Sequence, residues 1–231
     1  MGGFFGAASR NDCVTDVFFG IDYHSHLGTK RGGMTAYSEE KGFQRAIHSI
    51  ENTPFRTKFE NDASGMNGRL CMGSISDSDP QPILVRSKFG TYAVCNIGII
   101  NNYEELSQEL LNNDYANFET MSSGLINSSA LVGTLMAQKN TMVEGIKYAQ
   151  ERIDGTLSLA ILTKEGIILA RDKCGRLPII VGRRDDGYCF ALESFAFQKL
   201  GYTTYKELEP GEIVMLTADG CETLEKGNPA N

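Results

Sequence analysis

The last third of the chain constrains its fold most. From Gly155 to Thr217 it runs as short apolar stretches, "GTLSLAILT", "GIILARD", "LPIIVGRRDDGYCFALES" and "GEIVMLT", each cut off by turn residues. Runs this short and rich in Ile, Leu and Val predict buried strands, since a helix of the same burial needs a longer periodic stretch. Asp186-Gly187 sits between two of these runs and predicts a hairpin turn. The first third carries similar segments: "GGFFGAA", "GRLCMGSI", "QPILVRS" and "GTYAVCNIGII", with "KFG" as a turn between the last two. Successive strand side chains point to opposite faces, so strands apolar at consecutive positions must be covered on both sides.

Helices to cover them are legible. In "NDCVTDVFFGIDYHSHLG", Val14, Val17, Phe18 and Ile21 fall on one helical face, with Asn11 or Asp12 as cap and Gly28 as stop. "NNYEELSQELL" predicts a helix capped by Asn101 or Asn102, with Tyr103, Leu106 and Leu110 inward. "SSALVGTLMAQ" predicts another. "TMVEGIKYAQERI" predicts a third, opened by a capping box between Thr141 and Glu144. Strands, clustered helices, then strands again indicate an α+β fold with antiparallel sheets in a layered sandwich. No internal repeat, low-complexity tract or linker precedes the final "EKGNPAN", so residues 1–231 are expected to form a single domain.

Composition excludes several classes. A formal net charge of -7 leaves no basic stripe to replace phosphate counterions, which argues against nucleic acid. No apolar run approaches membrane-spanning length, and "GGFFGAAS" lacks the basic flank and long apolar core of a signal peptide. "MGGFFG" resembles a myristoylation site, but Gly6 stands where that pattern needs Ser or Thr. The six cysteines, Cys13, Cys71, Cys95, Cys174, Cys189 and Cys221, show no C-x-x-C spacing. Reduced thiols in a cytoplasmic protein are therefore expected, with no cofactor and no metal.

One long stretch then carries a family pattern. In "ARDKCGRLPIIVG", Arg171, Asp172, Gly175, Pro178 and Gly182 match the pattern ARD-x-x-G-x-R/K-P-L-x-x-G. "ALES-x-A" follows through Glu193, Ser194 and Ala196, and "PGE" through Pro210, Gly211 and Glu212. On these residues the chain resembles the class II glutamine amidotransferase domain, of the N-terminal-nucleophile (Ntn) hydrolase type. It is most similar to the first domain of amidophosphoribosyltransferase, which opens purine synthesis. The resemblance extends to residue 1 and implies a four-layer αββα sandwich.

In that family the resemblance implies an N-terminal Cys that attacks the glutamine amide, with its own α-amine as base. An Asn amide and the next Gly N–H hold the oxyanion, an Arg clamps the substrate carboxylate, and an Asp binds its amino group. This sequence departs at each point. The opening C-G-x-x-G reads "GGFFG": Gly3 and Gly6 match, but Gly2 holds the nucleophile position. G-H-x-R reads "GSIS", so Gly73 matches and Ser76 replaces the Arg, with Gln81-Pro82 keeping the register. H-N-G reads "NIG", which keeps Gly98 but puts Ile97 in place of the amide donor. The Asp of D-S-E maps to Ser128, and H-R-G reads "HLG", keeping His26 and Gly28 with Leu27 between.

Gly2 alone would fit an engineered or compensated loss in an active amidotransferase of purine biosynthesis. Gly2, Ser76, Ile97 and Ser128 together favour a repurposed site: no catalytic residue intact, and a binding, regulatory or assembly role. Cys95 and Cys71 lie near the vestigial segments but are expected to be inert buried thiols. His24, His26 and His48 offer a weak metal pattern, and a structural His26 is the plainer expectation. "GTKRGGM" reads either as an anion-binding nest or as a loop with solvated charges. No phosphoribosyl-pyrophosphate motif is present, and the sequence ends about where the family's transferase domain begins. A domain that stands alone and the N-terminal part of a longer chain both remain open. Expected partners are a phosphoribosyltransferase domain in cis or in trans, a small molecule in the vestigial glutamine pocket, or a second copy in a homo-oligomer.

Overall fold

The computed structural model describes residues 2–113, 121–122 and 125–229. Strand β1 (Gly3–Ser9) shows how the sequence builds the layers. Phe5 and Ala7 join one apolar cluster with Val14, Val17 and Ile21, while Phe4 and Ala8 join another with Phe190, Ala160 and Leu169. The strand is buried on both faces, which its unbroken apolar run requires. Gly6 lets the layers close: a Cβ there would lie 2.4 Å from the Phe190 ring.

The remaining strands are β2 (Arg31–Ser38), β3 (Gly42–Ser49), β4 (Leu70–Ser76), β5 (Ile83–Ser87), β6 (Gly90–Ile100), β7 (Met121–Ser122) and β8 (Leu125–Ile126). They continue as β9 (Gly155–Leu162), β10 (Ile167–Ala170), β11 (Ile180–Arg184), β12 (Gly187–Ala191), β13 (Thr203–Glu207), β14 (Ile213–Thr217) and β15 (Gly220–Glu225). The helices are α1 (Val14–Tyr23), α2 (Phe55–Gly65), α3 (Tyr103–Asn112), α4 (Ser128–Met136), α5 (Met142–Arg152) and α6 (Phe195–Leu200). A seven-stranded sheet runs β13-β11-β12-β1-β4-β2-β3 and a six-stranded sheet β15-β14-β10-β9-β6-β5; β7 and β8 form a small ribbon. The strand pairs are antiparallel throughout, as in β1 with β4 and β12, and β6 with β5 and β9.

Three apolar clusters separate four layers. Helices α1, α2 and α6 cover the outer face of the seven-stranded sheet. Helices α3, α4 and α5 cover the outer face of the six-stranded sheet through Leu106, Leu131, Val132 and Ile146. The third cluster joins the two sheets face to face through Phe4, Met72, Phe190, Cys95 and Ile97. Each fully buried large apolar side chain here contributes about 1.5–3 kcal/mol. The expected αββα sandwich is the observed fold.

Several local expectations are refined. Helix α1 ends at Tyr23, and a 3-10 turn over Ser25–Leu27 carries the chain on to Gly28. The carboxylate of Asp12 accepts the Val14 N–H at 3.1 Å, so the anticipated cap residue does serve the first turn. Asn102 precedes α3, but its side chain accepts the Asp154 N–H and donates to the Arg152 carbonyl instead of capping. Thr141 accepts the Glu144 N–H at 3.1 Å, its half of the capping box. The hairpin turn is Asp185-Asp186, one residue earlier than the sequence suggested, because Gly187 already pairs with Arg184 and Ser9. Gly187 is needed there because a Cβ would lie 2.1 Å from the Ala8 carbonyl oxygen.

The larger correction concerns "GTKRGGM". Only its first three residues, 28–30, form a loop: Arg31 opens β2, and Gly32 and Gly33 pair with β3 and β4 inside the seven-stranded sheet, so the two glycines form no nest. At Gly33 a Cβ would lie 1.7 Å from the Gln81 carbonyl oxygen, so another chain segment presses directly on this backbone. Among the described residues, no helix is long and apolar enough to cross a membrane.

Candidate functional site

The C-terminal end of β4, the C-terminal half of β6 and the start of α4 meet at one cavity of about 500 Å³. Five of the positions singled out above, Gly2, Ser76, Ile97, Gly98 and Ser128, line it. They come from sequence positions far apart, and the sandwich brings them together where the two sheets open. A larger open cleft of about 670 Å³, between Asp12, Glu39, Glu40, Arg69 and Lys164, contains none of them. Volume alone does not mark the site.

At the polar end, one acidic residue lies between two of the expected positions. The Asp79 carbonyl accepts a hydrogen bond from Ser76 Oγ at 2.8 Å, and its carboxylate accepts the Ser128 N–H at 2.9 Å. Ser128 is the first residue of α4, so a carboxylate here also meets the positive end of the helix dipole. Asp77 lies alongside and accepts the Thr29 N–H at 2.7 Å and the Thr29 hydroxyl at 3.1 Å. The end of the cavity assigned to an Arg by the family pattern is thus lined by hydroxyls and carboxylates.

Above it, buried amides set the wall. Asn96 donates from its backbone N–H to Gln81 Oε1 at 2.9 Å, and its side-chain Oδ1 accepts from Ser129 Oγ at 2.5 Å. Ser128 Oγ lies 3.3 Å from the same amide group. The Asn96 side chain is therefore committed to the start of α4. Its neighbour Ile97 points the other way, 7% exposed, into the cluster between the sheets. Gly98 has φ of +156°, and a Cβ there would lie 2.0 Å from the Thr156 carbonyl oxygen, so only glycine fits.

Gly2 lies against β4. A Cβ on it would sit 2.6 Å from the Ile75 carbonyl oxygen, a separation that real side chains do not adopt. The backbone at residue 2 thus occupies space that a larger residue would have to win from β4.

The family-pattern residues of the last third hold the cavity's other rim. Arg171 donates to the carbonyls of Leu177 at 3.0 Å, Gly175 at 2.8 Å and Leu208. Asp172, 3% exposed, accepts the N–H groups of Leu157 and Cys174, both at 2.9 Å. Gly175, at φ +63°, turns the chain. This clamp presents Arg176 and Leu177 to the cavity. Glu212, also 3% exposed, accepts from Lys206 Nζ at 2.5 Å and from the Glu209 N–H at 2.9 Å. These are scaffold interactions.

His26 and Gly28 are outside the cavity lining. His26 is half exposed, 3.7 Å from the Glu193 carboxylate and beside the Phe195 ring. Gly28 packs behind β4, where a Cβ would lie 2.5 Å from Ile75 Cγ2. His24 is buried, donates from Nδ1 to the Gly20 carbonyl at 2.6 Å, and is pushed below its ordinary pKa by burial. His48 pairs with Asp62 at 2.7 Å, on the other side of the sheet from the cavity. Among the described residues, no three metal-ligating side chains gather. Cys71 and Cys95 are fully buried; burial raises both thiols, Cys95 to about 12, so neither is a thiolate at neutral pH.

Comparison with known proteins identifies the family. The glutamine amidotransferase domain family matches residues 67–199. Amidophosphoribosyltransferase of Archaeoglobus fulgidus is 31% identical over 204 residues, covering 87% of this chain and 44% of that protein. The Methanocaldococcus jannaschii amidophosphoribosyltransferase is 27% identical over 226 residues, covering 93% of this chain and 46% of its own length. The solved glutamine phosphoribosylpyrophosphate amidotransferase from B. subtilis, complexed with ADP and GMP, superposes with a TM-score of 0.84 at 24% identity, over 97% of this chain and 49% of that one. The chain belongs to the glutamine amidotransferase domain family and is related to amidophosphoribosyltransferase. It spans about half the length of the curated relatives it matches.

Sequence reasoning missed Asp79, Gln81, Asn96 and Arg176 as site residues. The signal for Asp79 was present: "SDSDPQP" links two strands directly after Ser76, so it had to pass the same cavity. Arg176 was hidden inside a motif read only as scaffold.

Proposed function

We propose that residues 1–231 form a class II glutamine amidotransferase-like domain that does not hydrolyse glutamine and acts as a binding or regulatory module. Its partner in this reading is a phosphoribosyltransferase domain, in cis or in trans. The observation that carries it is Ser76, which stands where the family pattern has a guanidinium and donates its hydroxyl to the Asp79 carbonyl at 2.8 Å. A glutamine carboxylate there would face a serine hydroxyl already donated elsewhere and an acidic neighbour.

The chemistry fails independently. Gly2 carries no nucleophile, so no acyl-enzyme bond can form. Ile97 offers no hydrogen, and losing one oxyanion donor costs about 10²–10³ in rate. The buried, protonated thiols of Cys71 and Cys95 supply no substitute.

The test is ammonia release from glutamine by the purified chain, with mass spectrometry after exposure to the glutamine-mimicking electrophile diazo-oxo-norleucine. No turnover and no adduct are expected. Ammonia release above a heat-denatured control, or an adduct on a residue lining the cavity, overturns the reading.

A further inference from the structure

The cavity's lining has exchanged one ligand charge for another. Its charged side chains are Asp77, Asp79 and Arg176, two carboxylates and one guanidinium, and Arg176 is exposed at the rim. Ser76 and Leu177 stand where the family pattern has basic residues. The second carboxylate oxygen of Asp79 makes no hydrogen bond among the described residues, while the first is fixed by the Ser128 N–H. Asp79 is therefore a positioned anion with a free acceptor.

A second group points to a ligand independently. Gln81 is 5% exposed and lines the cavity. Its Oε1 is held by the Asn96 N–H at 2.9 Å, which fixes the amide plane. Its Nε2 makes no hydrogen bond among the described residues. Gln81 lines the open cavity, so this donor is within reach of an acceptor that enters it. Along the wall, Ile99, Ile100 and Leu177 give the cavity an apolar side, and Ile99 is 51% exposed.

We infer that this cavity binds a small organic ammonium compound lacking a carboxylate at the ammonium-bearing carbon. Its nitrogen pairs with Asp79 beside Ser76, an oxygen of the ligand accepts from Gln81 Nε2, and its carbon chain lies on the isoleucines. The inference rests on the non-catalytic reading of the site and names the ligand class that the site selects. Charge-assisted hydrogen bonds are the strong ones in such a pocket, and the unpaired carboxylate of an amino acid would be its main penalty.

Two fragments of glutamine separate the alternatives. Glutamine without its α-carboxylate is γ-aminobutyramide; glutamine without its α-amine is glutaramate. Binding of each to the purified chain is measured by calorimetry and by amide chemical-shift changes at millimolar concentration. The amine is expected to bind at least about tenfold more tightly than glutaramate or glutamine, a difference of roughly 1.4 kcal/mol. Asp79→Asn is expected to abolish the preference. Because Asp79 also holds the start of α4, Ser76→Arg serves as the second variant and is expected to reverse the preference toward glutaramate. Tighter binding of glutaramate or glutamine, no detectable binding of the amine, or amine binding unchanged in both variants overturns the inference. Ammonia release on the same samples reads the non-catalytic assignment separately, so either conclusion can fail without the other.

Discussion

Restoring the nucleophile alone should not restore glutamine hydrolysis. Gly2→Cys would return the thiol and its α-amine base, but its Cβ meets the Ile75 carbonyl oxygen at 2.6 Å, so the chain start or the end of β4 must move. Ile97 would still withhold one oxyanion donor, a deficit of about 10²–10³ in kcat. Ser76 would still replace the carboxylate clamp. A charged hydrogen-bonded pair is worth roughly 1.5–3 kcal/mol, or about 10–10² in KM. The combined shortfall in kcat/KM is therefore on the order of 10³–10⁵. Gly2→Cys with Ser76→Arg and Ile97→Asn is the smallest set expected to give measurable turnover, because Asp79, at Ser128, already offers a carboxylate to the substrate ammonium. The assay is coupled ammonia release from the single and triple variants, each checked for folding by circular dichroism, since Asn at the buried position 97 carries its own stability cost. A single variant within about tenfold of the triple would refute this reasoning and make Gly2 an isolated lesion.

Two further outcomes test the fold. Gly33→Ala should lower the melting temperature by many degrees or prevent folding, since its Cβ would lie 1.7 Å from the Gln81 carbonyl oxygen; Gly65→Ala, in α2 with nothing within 4 Å, should raise stability by about 0.5–1 kcal/mol. Calorimetric scans of both distinguish close packing from a general intolerance of substitution. Asp186 is held at a pKa of about 2, chiefly by its hydrogen bond from Arg184 Nε at 2.7 Å. The folded value lies below the ordinary value near 3.9, so this carboxylate stabilises fully above about pH 5 and loses its contribution as pH falls toward 2. Asp186→Asn should lower stability near neutrality and leave it little changed near pH 2, so that the acid limb of the stability curve flattens, as read by urea melts between pH 2 and pH 7.

What the sequence revealed follows from where the physical signal is local. Strands β1, β6, β9 and β10 were legible because both faces are buried, leaving unbroken apolar runs. Strands β2 and β3 were not, because "KRGGM" looks like loop chemistry; Gly33 is there to admit the Gln81 backbone, a contact made across dozens of residues. Helix α2 buries only Phe55 and Phe59 among its residues, too thin a stripe to show periodicity in a charged segment. The same holds at the site. Ser76, Ile97 and Ser128 were found by register along a resemblance, whereas Asp79 gains its meaning only when β4 and α4 meet.

The residues kept and lost also sort by what each does for the folded chain. Arg171, Asp172, Gly175 and Glu212 satisfy buried backbone groups, and removing any of them would leave polar atoms unpaired in the interior. A catalytic clamp or oxyanion donor does the reverse: it holds a charge or an amide ready for a substrate and leaves it poorly satisfied without one. At those positions this chain carries groups that satisfy themselves. Ser76 donates to Asp79, and Ile97 joins the apolar layer between the sheets. In the non-catalytic reading proposed above, both changes run toward stability, the direction expected where turnover does not oppose it. Gln81 differs: only its Oε1 is engaged, by the Asn96 N–H, while its amide donor is left to a cavity that has not collapsed. A site decaying without function would be free to close over that amide, and its open, unpaired state is the reason to look for a ligand there.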